Sequence, residues 1–180
     1  MDLTSRQTER VTRVFLLAEQ ETARSGHTRL GTVHLLLALV RDERDHGGGL
    51  LAGLDLEQAR AETAAYGVGY RDPGYRPLSP GAVAAIAAAL READGAPDAT
   101  VGVRHLLLGV LADDTEDAAR ILRALHIDVD GVVVAARRDL EADTSPRPHA
   151  AAVPVVSQLD RVVAALGRLG RASTPSTAGP

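Results

Sequence analysis

Two histidines in matching contexts are the first residues to consider for chemistry. His34 closes a Gly-x-x-His tetrapeptide that begins at Gly31, and His105 closes another that begins at Gly102, 71 residues later. An imidazole can act as a general acid or base, or ligate a metal ion. The six histidines include no pair three to five residues apart, so a helical zinc site is not indicated. Packing and hydrogen bonding near a helix start is the favoured interpretation of both histidines, and contact with a ligand is the alternative.

The rest of the composition argues against most forms of catalysis. The chain has no cysteine, which excludes disulfides, thiolate metal sites and cysteine nucleophiles. All 20 basic residues are arginine, a usage typical of a GC-rich genome such as an actinobacterial one. Because the chain has no lysine, it lacks the lysine of a phosphate-binding P-loop. Neither a Gly-x-Ser-x-Gly motif nor a suggestive Ser-His-Asp spacing occurs. We therefore predict a protein that is not an enzyme, with no catalytic residues, no metal and no cofactor.

Two acidic runs each have a structural and a functional interpretation. Asp42, Glu43, Asp45 and His46 precede a glycine triplet, and their spacing matches no oxygen-ligand metal loop, so we expect a solvated charged turn. Residues 113–117 place negative charge where a helix begins, which the helix dipole favours. A docking patch for a basic partner is the alternative interpretation of that second run.

Charge and hydropathy narrow the range of partners. The net charge of −4 offers no electrostatic basis for binding nucleic acid or an anionic membrane. The N-terminus has no apolar run of the signal-peptide type, and no apolar stretch reaches 18 residues. We therefore predict a cytoplasmic protein.

The two tetrapeptides open apolar stretches that indicate an internal duplication. Residues 33–43 and 103–112 are apolar on nearly every side, a pattern typical of helices in the middle of a bundle. The spacing of apolar residues predicts further helices over residues 5–25, 50–54, 56–66, 79–94, 113–125 and 127–140. No stretch alternates apolar and polar residues convincingly. The prediction is an all-α fold of four helices, a loop and four more helices.

Local signals predict where several of these helices begin and end. Thr32 is well placed as the N-cap of the first central helix. Ser79 is predicted to be an N-cap, followed by Pro80 at the first helical position. Gly26 is expected to end the first helix.

The character of the chain changes at Asp143. The following stretch is rich in proline and alanine and reads as a linker, and residues 173–180 read as a disordered end. Between them, residues 154–170 predict a short amphipathic helix that either docks on the body or meets a partner. Its apolar positions are Val155, Val156, Leu159, Val162, Val163 and Leu166.

The duplicated pattern resembles the Clp N-terminal repeat domain, which stands at the front of the Clp family of AAA+ unfoldases, especially the ClpC branch. The likeness rests on the tandem order of helix, Gly-Thr-x-His-Leu-Leu-Leu-x-Leu, short helix and helix, and on matches at residues 78–80, 90–93 and 118–128. The resemblance implies a pseudo-twofold bundle over residues 1–142, with one four-helix repeat over 5–66 and another over 78–142. Residues 143–180 fall outside it.

What the resemblance implies for function is a docking platform. In the family this domain binds adaptors, degradation substrates and, in the ClpC branch, phosphorylated arginine, and some cyclic-peptide antibiotics target it. Because no P-loop is present, we expect a stand-alone receptor domain without the motor. It would act as an adaptor, competitor or decoy toward Clp ATPase or protease components, their adaptors and their substrates. The alternative is a protein that sequesters a cyclic-peptide antibiotic.

The resemblance also implies ligand positions, two of which depart from the family. The carried-over positions are Thr8, Arg10, Val33, His34, Leu78, Ser79, Arg104 and His105. In phosphoarginine-binding relatives a glutamate that helps hold the guanidinium precedes each motif histidine. Val33 offers no charge there, and Arg104 would repel a guanidinium while attracting its phosphate. The inherited site is therefore expected to be partly lost or retuned.

Overall fold

The computed structural model describes residues 6–47, 49–51, 53–64, 76–95 and 99–143. Over these residues the chain is all-α, with two isolated bridges and no named strand. The seven helices of the described residues are α1 (Glu9–Ser25), α2 (Thr32–His46), α3 (Leu56–Ala64), α4 (Pro80–Ala93), α5 (Val103–Val110), α6 (Asp117–Ala124) and α7 (Val129–Ala142). The predicted all-α fold is confirmed.

Local capping explains the starts of the first and fourth helices and the end of the first. The Thr8 hydroxyl accepts from the Val11 N–H at 3.3 Å, and the Ser79 hydroxyl accepts from the Ala82 N–H at 3.1 Å. Each of these bonds satisfies a backbone donor that has no partner within the helix. Gly26 ends α1 with φ at 72°, a left-handed conformation that glycine adopts without strain.

The two central helices α2 and α5 lie inside the bundle, as their apolar pattern predicts. Every residue from Thr32 to Val40 is buried, and so is every residue from His105 to Val110. Helix α1 packs mainly on α2, α4 packs mainly on α5, and the central helices also contact each other. One continuous core therefore runs through both repeats.

Two reciprocal bridges interlock the repeats. Ahead of α1, the Thr8 N–H donates to the Val101 carbonyl at 3.1 Å; ahead of α4, the Ser79 N–H donates to the Leu30 carbonyl at 2.8 Å. Thr8 and Ser79 are equivalent at the 71-residue offset, as are Leu30 and Val101. The first helix of each repeat is thus tied to the central helix of the other, in pseudo-twofold fashion.

Three local predictions need correction. The N-cap of α2 is Gly31, while Thr32 is the first helical residue and its hydroxyl turns toward another helix. The helix expected over residues 50–54 is a turn where the structure describes it, closed by the Leu54 N–H on the Leu51 carbonyl. The helix expected over residues 113–125 is shorter, because α6 begins only at Asp117.

Two further predictions concern the C-terminal residues and membrane-spanning helices. The amphipathic segment 154–170 and the disordered end lie outside the described residues. In the parts of the chain that the structure describes, no helix is both long and apolar enough to cross a membrane.

Candidate functional site

Both motif histidines cap the helices that they open. The Nδ1 atom of His34 accepts from the Gly31 N–H at 2.8 Å, and Nδ1 of His105 accepts from the Gly102 N–H at 3.0 Å. Both side chains are buried. An accepting Nδ1 in a neutral imidazole requires the proton on Nε2. The structure therefore places each histidine beneath the surface as a helix-start cap, and ligand contact by either stays a prediction.

A serine lies beside His34, but the pair cannot act as a nucleophile and base. The Ser25 hydroxyl donates to the Glu21 carbonyl at 2.9 Å and lies 3.1 Å from Nε2 of His34. Since that nitrogen carries the proton, it can donate to Ser25 or to Nδ1 of His27 at 2.9 Å, but it cannot accept the serine proton. Burial, and then repulsion from His27, also lower the pKa of His34 to about 3. This contact is structural.

The interlocked repeats divide the remaining predicted positions between two equivalent places. Thr8 and Arg10 at the start of α1 lie with Arg104 at the start of α5. At the equivalent place, Ser79 lies at the start of α4 beside the start of α2, where Gly31 is the N-cap. Each place combines the first helix of one repeat with the central helix of the other.

The first place is an open cleft of about 680 Å³. Its walls are the starts of α1 and α5 and the end of α7. Val103 and Leu140 supply partly buried apolar surface, and the lining also carries the carboxylates of Glu9, Asp139 and Asp143. We call this feature the α1–α5–α7 cleft.

Buried carboxylates hold both arginines of the cleft. Arg10 donates to Asp42 Oδ2 from Nε at 3.1 Å and from NH2 at 2.5 Å. Arg104 donates from Nε to Asp139 Oδ2 at 3.0 Å and from NH1 to Glu43 Oε1. The expectation of a solvated turn at the end of α2 is wrong for Asp42 and Glu43, which are 0% and 4% exposed.

This pairing decides the charge that the cleft presents to a ligand. Asp42 and Glu43 satisfy the guanidinium groups from beneath, and Glu43 is fixed further by the Leu51 N–H at 2.8 Å. Together with Asp42 and Glu43, the three carboxylates of the lining make five negative charges against two arginines. The α1–α5–α7 cleft is therefore acidic in effect.

The second place is occupied by a side chain of this protein. Thr32 Oγ1 donates to Glu116 Oε2 at 3.1 Å. A Cβ atom at Gly81 would lie 2.1–2.2 Å from the Glu116 carboxylate, so glycine is needed there for the carboxylate to fit. At the position of α1 that is equivalent to Gly81, the residue is Arg10. The two places are thus alike in backbone and different in chemistry.

Neither predicted apolar position adds a polar contact at the second place. Val33 is 3% exposed and belongs to the core, and Leu78 packs against the core from a partly buried position. Sequence reasoning missed the polar groups that shape both places, which are Thr32, Glu43, Glu116 and Asp139. The sequence gives only a weak signal for these groups, because their partners are distant in the chain. Arg104 and Glu43, for example, are 61 positions apart.

Comparison with known proteins matches this fold to a family. A family model described as the Clp repeat (R) N-terminal domain matches residues 77–173, more than half of the chain. The chain belongs to this family. The chaperone protein ClpB of Oceanobacillus iheyensis is 31% identical over 125 residues, which cover 68% of this chain and 16% of ClpB. The negative regulator of genetic competence ClpC/MecB of Bacillus subtilis is 33% identical over 129 residues, which cover 68% of this chain and 15% of ClpC/MecB.

Solved structures share the Clp N-terminal fold. The N-terminal domain of ClpD from Arabidopsis thaliana has a TM-score of 0.66 at 24% identity, covering 77% of this chain and 96% of that domain. The Hsp104 N-terminal domain from Candida albicans has a TM-score of 0.62 at 16% identity, covering 78% and 93%. At these identities the likeness shows the fold alone. The chain spans about one sixth of the length of the two curated relatives.

Proposed function

We propose that this Clp N-terminal domain is a non-catalytic binding module of the Clp protease system. It would capture protein or peptide segments as an adaptor, competitor or decoy. The observation that carries the proposal is the open α1–α5–α7 cleft, which exists only because the two repeats interlock. A cleft with a partly apolar floor and a few charged groups is the usual form of a ligand site.

The charges of the cleft favour a basic segment over a phosphorylated one. Arg104 already donates to Glu43 and Asp139, so a phosphate at its remaining N–H groups would lie beside two carboxylates. Negative charges so close together repel each other. The starts of α1 and α5 would offset only about 0.3–1 kcal/mol each through their dipoles. An arginine side chain of a peptide would instead meet the Glu9 carboxylate and share the Asp139 carboxylate with Arg104.

A calorimetric titration tests this proposal. The ligands are phosphoarginine, arginine, an arginine-containing peptide and the same peptide with glutamate in place of arginine. We expect heat from the arginine peptide, and little from phosphoarginine or the glutamate peptide. Asp139→Asn should weaken the arginine peptide, whereas the matched change Glu141→Gln, on the same helix but outside the cleft lining, should not.

The outcomes separate the candidate ligands. Selective binding of phosphoarginine would show that the charge argument is wrong and would favour a receptor for tagged substrates. Binding of no peptide by a folded protein would refute the binding module at this cleft. Capture of a cyclic-peptide antibiotic, the alternative predicted from the sequence, stays a prediction that the same titration with such a peptide would test.

A further inference from the structure

The α1–α5–α7 cleft opens where the described part of the chain ends. Ala142 and Asp143 line it, and Asp143 is the last described residue. The following 37 residues are therefore tethered at the rim of the cleft.

Charge divides sharply between the two parts of the chain. Residues 144–180 contain four arginines and one aspartate, a net charge of +3, whereas residues 1–143 contain 16 arginines and 23 acidic residues, a net charge of −7. The cleft lining carries three carboxylates, one of which, Asp139, binds Arg104; with the buried Asp42 and Glu43 the carboxylates outnumber the two arginines by five to two. A basic segment thus starts beside an acidic cleft, and the two attract each other.

The composition of the segment also suits the apolar part of the cleft. It carries apolar residues from Val155 to Leu166, with Arg161 among them and Arg168 and Arg171 following. Val103 and Leu140 offer partly buried apolar surface inside the cleft. The 11 residues from 144 to 154 can span up to about 36 Å, which is ample for the chain to turn back.

We infer that residues 155–171 bind in the α1–α5–α7 cleft of their own chain and compete there with external ligands. Tethering supplies an effective concentration of about 1 mM for a short flexible linker. A segment with a Kd of about 0.1 mM would then fill the cleft in about nine molecules of ten. External basic peptides would bind about tenfold more weakly than to an empty cleft.

Paramagnetic labelling of the full chain tests the inference directly. Because the sequence has no cysteine, Ser157→Cys provides a single attachment point for a nitroxide and changes no apolar or charged residue of the segment. We expect amide signals of Gly102, Arg104 and Leu140 to broaden in the isotope-labelled protein. Signals of α3 should stay sharp.

Charge variants of the labelled chain supply the control. Replacing Arg161, Arg168 and Arg171 together by glutamine should abolish the broadening and raise the affinity for the arginine peptide about tenfold. Arg147→Gln removes one charge from the connecting residues only and should change neither readout. Circular dichroism and thermal unfolding of each variant check the fold, because the family model also matches residues 161, 168 and 171.

Each outcome either supports or overturns binding of residues 155–171 in the α1–α5–α7 cleft. Broadening at no body residue, or around Glu21 and Arg60 instead, would overturn the inference. Broadening that persists when nitroxide-labelled chains are mixed with isotope-labelled chains would replace it by contact with a second copy. The inference uses the same cleft as the proposed function but can fail separately. A segment seated in the cleft without peptide binding by the arginine variant would refute only the proposed function, and peptide binding without broadening would refute only the inference.

Discussion

Acid should destabilise this domain through one buried histidine. The His34 side chain is 1% exposed, and its ring packs edge-on against His27 with the centroids 4.9 Å apart. Burial, and then the neighbouring imidazole, lower the pKa of His34 from 6.5 to about 3. Protonation of Nδ1 would place a charge inside the core. It would also remove the hydrogen-bond acceptor with which His34 caps α2.

The sign and size of the effect follow from that difference. The unfolded chain binds a proton near pH 6.5 and the folded chain only near pH 3, so stability is full above pH 6.5 and falls as the pH drops. The expected loss is about 2 kcal/mol at pH 5 and about 3 kcal/mol at pH 4. Small domains are stable by about 5–15 kcal/mol, so the loss is readily measured.

Urea unfolding followed by circular dichroism at pH 7.5 and pH 5 measures the loss. In His34→Asn the side-chain oxygen can still accept from the Gly31 N–H, but the residue does not titrate. We expect this variant to be less stable at pH 7.5 and to lose about 2 kcal/mol less than the parent between the two pH values. His126→Asn is the matched control, because His126 is exposed and asparagine tolerates its φ of 57°.

The comparison of these two variants can refute the reasoning. If His34→Asn keeps the full pH dependence of the parent, protonation of His34 is not what acid changes. If His126→Asn loses the dependence instead, the titrating group is on the surface and the argument from burial is wrong.

Two substitutions test the packing and the buried charges of the bundle. Gly109→Ala should destabilise the domain by about 1–3 kcal/mol in thermal unfolding, because the new Cβ would lie 2.2 Å from the Ala85 carbonyl oxygen of α4. Glu21→Gln should cost about 3–5 kcal/mol in urea unfolding, because the buried carboxylate accepts from Arg41 at 2.8 Å and from Arg60 at 2.6 Å.

Matched controls keep both predictions specific. Gly95→Ala meets only an ordinary contact of 3.7 Å and should change stability little. Glu57→Gln removes another partner of Arg60, but the Glu57 side chain is 73% exposed, so we expect a loss of less than about 1 kcal/mol. Equal effects within either pair would contradict the explanation by close contact or by burial.

Much of the fold could be predicted because its signals are local. The central helices are apolar on all sides, and the caps at Ser79 and Gly26 follow from side-chain and backbone chemistry within a few residues. The helix predicted at 50–54 failed because three leucines at helical spacing also suit a turn whose side chains point into the core. Leu51 and Leu54 are both buried there.

The candidate site could be predicted only in part. The sequence placed Thr8 and Arg104 among the ligand positions through its resemblance to the family, without indicating that they share one cleft. It also assigned Asp42 and Glu43 to solvent, because acidic residues at the end of a helix are usually exposed. Their burial depends on arginines that come from α1 and α5.

What the sequence determined by itself is the duplicated helical pattern, the caps at Ser79 and Gly26 and the family, since each depends on neighbours along one helix or on matching motifs. What only the tertiary structure decided is which repeat completes which site. The bridges ahead of α1 and α4 cross between the repeats and bring Thr8 to Val101 and Ser79 to Leu30. The Arg104–Glu43 ion pair joins the two repeats and forms only after that crossing, so no local pattern records it.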